Sequence, residues 1–309
     1  MSGAGPDLEK KLSGALARIS ILEESVKSMR EDTVARATAG LHAAAKVMPS
    51  YGYQLPLDFE TQTLPPRFDP PVWVEGEPLP LPPLANRHGH AGTNQAYLDW
   101  GRYDKELVMG YIRRAFPTEY NLSIMDFGCS SGRVMRHFYP EMKNKGWRVT
   151  GVDVSSHMIE WLRRHFPKEF QIYAGTALPI MPFESNSFDV IYGMSVFTHI
   201  KYLWDAWLLE LRRVLKPGGI LLQSVHTENA WEYFSQHKDE EWVRGALGTL
   251  IVDHKHMPDD FLYYGDIDKN QVFWKRNIAL EFWGRYFRDV KIFPPPERYG
   301  YQDWVMATK

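Results

Sequence analysis

The chemistry in this chain concentrates between Ser123 and Asp153. Asp126 ends an apolar run, and Gly128 and Gly132 bracket the turn that follows it. Glycine lets a backbone turn sharply and approach a ligand closely. The amphipathic segment behind the turn, Val134 to Tyr139, reads as a helix whose first N–H groups lack intrahelical partners. A second strand, Trp147 to Val152, ends in Asp153, twenty-seven residues beyond Asp126. An acid at the tip of the second strand of a nucleotide-type fold hydrogen-bonds ribose hydroxyls. The two features together predict a site for an adenosine-containing small molecule.

The glycine spacing departs from the dinucleotide fingerprint, so a pyrophosphate loses its close-approach position. The G-x-G-x-x-G pattern needs glycines where this chain has Ser130 and Arg133. The loop instead resembles motif I of class I S-adenosylmethionine-dependent methyltransferases, D-x-G-x-G-x-G, with Ser130 in place of the middle glycine. Downstream segments resemble the same family in order and spacing: Ala174 to Pro179, Phe183 to Tyr192, Ser195 to Ile200, and Leu211 to Gly219 before a fifth strand, Ile220 to Val225. The resemblance covers about Ser123 to Val225.

It implies an α/β, Rossmann-like sheet of seven strands, doubly wound, with the last strand antiparallel. It implies S-adenosyl-L-methionine as cofactor, held by Asp126, Gly128, Cys129, Ser130, Gly132, Arg133, Asp153, Val154, Thr176, Ala177, Ser195 and Val196. Asp153 would take the ribose, the turn the methionine end, and Ala177 with Thr176 the adenine. Many relatives carry an acid at the Thr176 position. Tyr97 and Trp100, ahead of a helix from Tyr103 to Phe116, are candidates to cover the cofactor.

A hydroxyl acceptor loses a proton as its bond to carbon forms, so a positioned base helps. Two histidines follow strand tips: His199 past the fourth strand and His226 past the fifth. His226 is preferred, because its loop opens an insertion of about sixty residues, roughly 226–285, on the acceptor side. His256 and Asp266 within it are weaker candidates. His88-Gly89-His90 and His254-Lys255-His256 are each H-x-H, but neither has the spacing of a structural zinc site, and no metal is expected.

The elements that position these residues occupy only part of the 309 residues. Leu8, Leu12, Ala15, Ile19, Leu22, Val26, Met29 and Thr33 recur at alternating spacings of four and three. That heptad seam predicts an N-terminal coiled coil over 1–45 that would assemble a homo-oligomer. A Pro-rich strap, 46–90, follows, and Phe59, Phe68, Trp73 and Val74 suggest that it packs on something. The catalytic domain is expected over 91–309. Asn270 to Phe287 reads as an aromatic-rich helix, Phe287 to Phe293 as a strand, and Tyr301 to Lys309 as the last strand.

Net charge of −2 gives no footprint for nucleic acid. Cys129 is the single cysteine, which fits a reducing compartment, and no apolar run reaches the ~20 residues of a membrane span. A cytoplasmic protein without membrane insertion is expected. The leading function is O-methylation of a sugar, glycan end or related small metabolite. Gly300 to Val305 resembles the closing strand of methyltransferases that modify polysaccharides. N- or C-methylation of a small molecule is the in-class alternative. A non-catalytic, cofactor-sensing scaffold is the alternative outside it.

Overall fold

The computed structural model describes residues 70–87, 92–247, 256–264, 271–296 and 301–309. The chain divides between Thr63 and Leu64, and the described residues all belong to the second unit. The heptad seam, His88, His90, His254 and Asp266 lie outside them, as do Phe59 and Phe68. Among the described residues no helix is long and apolar enough to cross a membrane.

Helix α1, Asn94–Ala115, leads into β1, Ser123–Phe127. All five residues of β1 are buried, as a strand covered on both faces requires. Next come α2 (Tyr139–Lys145), β2 (Arg148–Asp153), α3 (Ser156–His165), β3 (Gln171–Ala174), β4 (Phe188–Gly193), α4 (Trp204–Val214) and β5 (Leu215–His226). The insertion supplies α5 (Glu228–Gln236), α6 (Glu241–Leu247), β6 (Phe261–Tyr264) and β7 (Gln271–Trp274). Helix α7 (Arg276–Gly284) and strands β8 (Arg288–Phe293) and β9 (Gln302–Thr308) close the chain.

Strands β3, β2, β1, β4 and β5 run parallel in that spatial order. Strand β9 pairs antiparallel with β5, and β8 pairs with β9. The expected sheet with its antiparallel last strand is therefore present, enlarged by the β6–β7 hairpin to nine strands. Gln223 on β5 pairs with Gly193 and Val305, whereas His226 pairs with Phe273 and Gln302. Strand β7 thus takes over, beside the tip of β5, the side that β4 occupies lower down. The insertion walls in His226 by continuing the sheet.

Four expectations change. The first helix begins at Asn94, not Tyr103, because the Thr93 hydroxyl caps it by accepting from the Ala96 N–H at 3.1 Å. Gly101 does not interrupt it. A Cβ there would stand 2.3 Å from the Arg133 carbonyl, so the glycine serves close packing. Val134 to Tyr139 is not one helix; a short 3₁₀ turn, Met135–Phe138, precedes α2, which restarts with Pro140 in its first turn. Asn270 to Phe287 contains β7 and then α7, because Val272 and Trp274 pack into one core cluster and Phe273 into another before the helix starts at Arg276. In the strap, Val72 and Leu81 form an antiparallel bridge, and Val72 and Val74 pack against Leu81, Tyr97 and Leu98, but Trp73 is 67% exposed.

Candidate functional site

The loop after β1 alternates its backbone hand. Gly128, Ser130 and Gly132 have φ of +85°, +48° and +81°. Ser130 pays a steric penalty that glycine would not. The Gly128 and Cys129 N–H groups donate to the Val152 carbonyl at 2.8 and 3.1 Å, which ties the loop to β2. A Cβ on Gly128 would lie 2.3 Å from Val196 Cγ2, and one on Gly132 would lie 2.8 Å from Leu162 Cδ2. Glycine is therefore needed at both positions for space as well as for φ.

Asp153 completes the cradle. The Ser130 N–H donates to its Oδ2 at 2.7 Å and the Ser155 N–H to its Oδ1 at 2.8 Å. These two donors fix a half-buried carboxylate at the tip of β2. The Gly175 N–H donates to the Asp153 carbonyl at 2.7 Å, which joins the tips of β2 and β3. Val154, Leu178 and Ile180 are exposed there at 67%, 56% and 70%. An oriented acid beside exposed apolar side chains has the acceptor and contact chemistry that a ribose and an adenine need, so these residues fit S-adenosylmethionine. The Thr176 hydroxyl is engaged in its own turn, donating to the Leu178 carbonyl and accepting from the Leu178 N–H. Ala177 is exposed beside it.

Asp126 is buried, with the Tyr192 hydroxyl and the Met135 backbone among its polar neighbours. Burial pushes its carboxyl up to about 7, the Tyr192 hydroxyl and the Arg133 charge oppose that rise, and the Asp153 charge adds to it. Arg133 is bound to Asp104 of α1, so it anchors that helix to the loop. Cys129 is buried, and desolvation followed by the charges of Asp153 and Asp126 pushes its thiol well up, which disfavours a thiolate. Tyr97 is 1% exposed and its hydroxyl meets Ser131 Oγ at 3.1 Å, so it braces the loop from α1. Trp100 lies one turn further, half-buried.

On the acceptor side, Ser195 also has positive φ, +58°. Its N–H donates to Ser224 Oγ at 2.7 Å, and its hydroxyl meets the Gln302 amide at 2.9–3.0 Å. The Gln302 amide nitrogen lies 3.4 Å from His226 Nε2. His226 is 2% exposed, with the rings of Phe273, Phe234 and Tyr301 at 5.2, 5.4 and 5.8 Å. Burial, then the nearby His199, lowers its imidazole to about 3, so it is neutral at physiological pH. His199 is exposed and His256 lies at the surface. Val196 joins the two halves, since its side chain covers Gly128. Ser224 and Gln302 were not singled out by spacing; only their place in β5 and the closing strand marks them. A cleft of about 390 Å³ lined by Ser123, Arg148 and Lys216 lies at the opposite, amino-terminal edge of the sheet, away from these groups.

The family model described as a methyltransferase domain matches residues 125–223. Sterol 24-C-methyltransferase ERG6B of Gibberella zeae is 30% identical over 155 residues, which cover 47% of this chain and 40% of that protein. Ubiquinone biosynthesis O-methyltransferase of Maricaulis maris is 27% identical over 151 residues, covering 45% of this chain and 58% of its own. The chain thus spans about half the length of the curated relatives it matches. The crystal structure of the PH0226 protein from Pyrococcus horikoshii OT3 superposes with a TM-score of 0.49 at 19% identity, over 71% of this chain and 94% of that one. Residues 125–223 are thus similar to a methyltransferase domain, the type of domain that the sequence motifs predict.

Proposed function

We propose that this chain is an O-methyltransferase acting on a sugar, a glycan end or a related small metabolite. The observation that carries the reading is the Ser130–Asp153–Ser155 hydrogen-bonded cradle, with Val196 closing it toward Ser195, Gln302 and His226. When bound, S-adenosylmethionine supplies an activated sulfonium methyl group. The chain's residues then mainly supply position, which recovers up to ~7–11 kcal/mol of a barrier at ideal orientation. Asp153 would orient the ribose, and ionised Asp126 the ammonium of the methionine end. Half-buried Tyr233 and Tyr301, whose rings lie 5.0 Å apart, suit stacking on the apolar face of a sugar ring.

His226 is the base in this reading, with His199 the alternative at the surface. Its Nδ1 is buried without a hydrogen-bond partner among the described residues. A buried polar atom left so costs about 1–3 kcal/mol, which an acceptor hydroxyl would relieve. An imidazole held at about 3 is a weak base. Its contribution should therefore fall at or below the low end of the usual ~10²–10⁴.

A carbon acceptor is the second reading. The rings around His226 would stabilise a cationic acceptor carbon, and one relative is named a sterol 24-C-methyltransferase. The heptad seam from Leu8 to Thr33 is proposed to assemble copies of the chain, which light scattering on the full chain tests. The activity is tested by transfer of labelled methyl from S-adenosylmethionine to fractionated host extract. Label in the glycan or sugar pool supports the first reading. Label in a lipid pool favours the second, label in protein or nucleic acid overturns both acceptor assignments, and label nowhere favours the scaffold.

A further inference from the structure

Three guanidinium groups, those of Arg87, Arg133 and Arg136, act electrostatically on Tyr97, the residue that braces the cofactor loop. Two of them are committed to holding the fold. Arg133 is bound to Asp104. Arg136 donates to the carbonyls of Leu79 and Pro80, the latter at 3.0 Å, and so fastens the strap to the domain.

Arg87 differs. It is 3% exposed, and its Nε donates to the Pro82 carbonyl at 3.0 Å and its Nη2 to Asn94 Oδ1 at 2.6 Å. Its Nη1 is buried with no hydrogen-bond partner among the described residues. Among the described residues no carboxylate pairs with it. A buried cation without a counter-charge is costly, and charged groups in protein interiors are otherwise paired.

The place of Arg87 points to what would supply that charge. Its guanidinium stacks 5.1 Å from the centre of the Tyr97 ring, and the Tyr97 hydroxyl touches Ser131 of the glycine loop. The neighbouring Asn86 contacts His157 of α3 at 3.3 Å, in the helix that starts just past Asp153. Arg87 is therefore fixed between the loop that should hold the methionine end and the helix behind the ribose acid. The amino-acid end of the cofactor carries one anionic group, an α-carboxylate, and one cationic group. Asp126 supplies an acid at the start of the loop.

Resting on the cofactor assignment above, we infer that Arg87, contributed by the strap, binds the α-carboxylate of the cofactor through Nη1. The strap is then part of the cofactor site as well as a connection to the N-terminal segment. Arg87 is a binding residue, and Asn94 and Pro82 are its positioning partners.

The test is equilibrium binding of two probes to the full chain: S-adenosylhomocysteine, which has the carboxylate, and 5′-methylthioadenosine, which lacks the whole amino-acid end. Arg87→Met should weaken S-adenosylhomocysteine by about 10–100-fold, the worth of one hydrogen bond to a charged group, and change 5′-methylthioadenosine by less than about twofold. Arg87→Lys keeps the charge, guards against a folding defect, and should fall between wild type and Arg87→Met for the first probe alone. Equal losses for both probes, or no loss for either, would overturn the assignment and leave Arg87 as a strap fastener. Failure of the wild-type chain to bind either probe would overturn the cofactor reading itself.

Discussion

The two halves of the site are built by different means. The cofactor half is made of backbone: alternating positive φ angles, N–H groups aimed at Asp153, and glycines with no room for a Cβ. The acceptor half is made of side chains, with one neutral imidazole inside a shell of aromatic rings reached through Gln302. Backbone geometry demands particular residues at fixed spacing, so it leaves a motif. A side-chain shell can be assembled from many sequences; here Phe234 and Phe273 come from the insertion, α5 to β7, which has no spacing rule of its own, and Tyr301 from just before β9. The first half should therefore be intolerant of change in binding, and the second tolerant in binding but not in turnover.

The largest effect that could break this contrast is at Asp153. Asp153→Ala removes the acceptor of the Ser130 and Ser155 N–H groups and should weaken S-adenosylhomocysteine by at least about 100-fold, read by calorimetry. Next is Gly128→Ala. The strained φ and the clash with Val196 should cost about 2–4 kcal/mol of stability, measured by denaturant unfolding. The double variant with Val196→Ala should recover part of that loss, because only the clash is relieved. No recovery would mean that φ alone sets the cost.

Smaller effects sharpen the acceptor half. His226→Ala should lower turnover by roughly 10–100-fold while leaving the cofactor dissociation constant within about twofold. Its imidazole, lowered to about 3, should contribute no inflection to the pH–rate profile between 6 and 8. An inflection there that disappears in His226→Ala would mean that the bound acceptor raises it. Asp126 should set the pH dependence of binding instead. Its carboxyl, raised to about 7, ionises as pH rises from 6 to 8, so affinity for the ammonium-bearing ligand should increase over that window and flatten in Asp126→Asn. Stability runs the other way. A raised carboxyl contributes fully below its unfolded value near 4 and loses that contribution as pH rises through about 7, so the unliganded melting temperature should fall there. The smallest effect is Trp73→Ala, within about 0.5 kcal/mol of wild type, since the ring is two-thirds exposed.

The parallel core and the cradle were legible because an acid follows the apolar run of each of β1 and β2, Asp126 and Asp153, and the glycines stand at family spacing. The insertion was legible only as an interval. Its hairpin was hidden in a run read as a helix, since Val272 and Trp274 are too few residues for alternation to outweigh the helical segment behind them. The early start of α1 was hidden by Gly101, which signals a break locally but is kept because Arg133 and His137 press against it. The loss of solvent at His226 is tertiary, produced by Phe234 of α5, Phe273 of β7 and Tyr301 just ahead of β9. Arg87 gave no signal at all, because one arginine in a Pro-rich segment looks like any solvated charge.

Titration of S-adenosylhomocysteine into wild type and His226→Ala in parallel tests the central division most directly. One site per chain is expected, with dissociation constants within about twofold of each other. Absence of binding to wild type, or loss of binding in His226→Ala, would contradict that division.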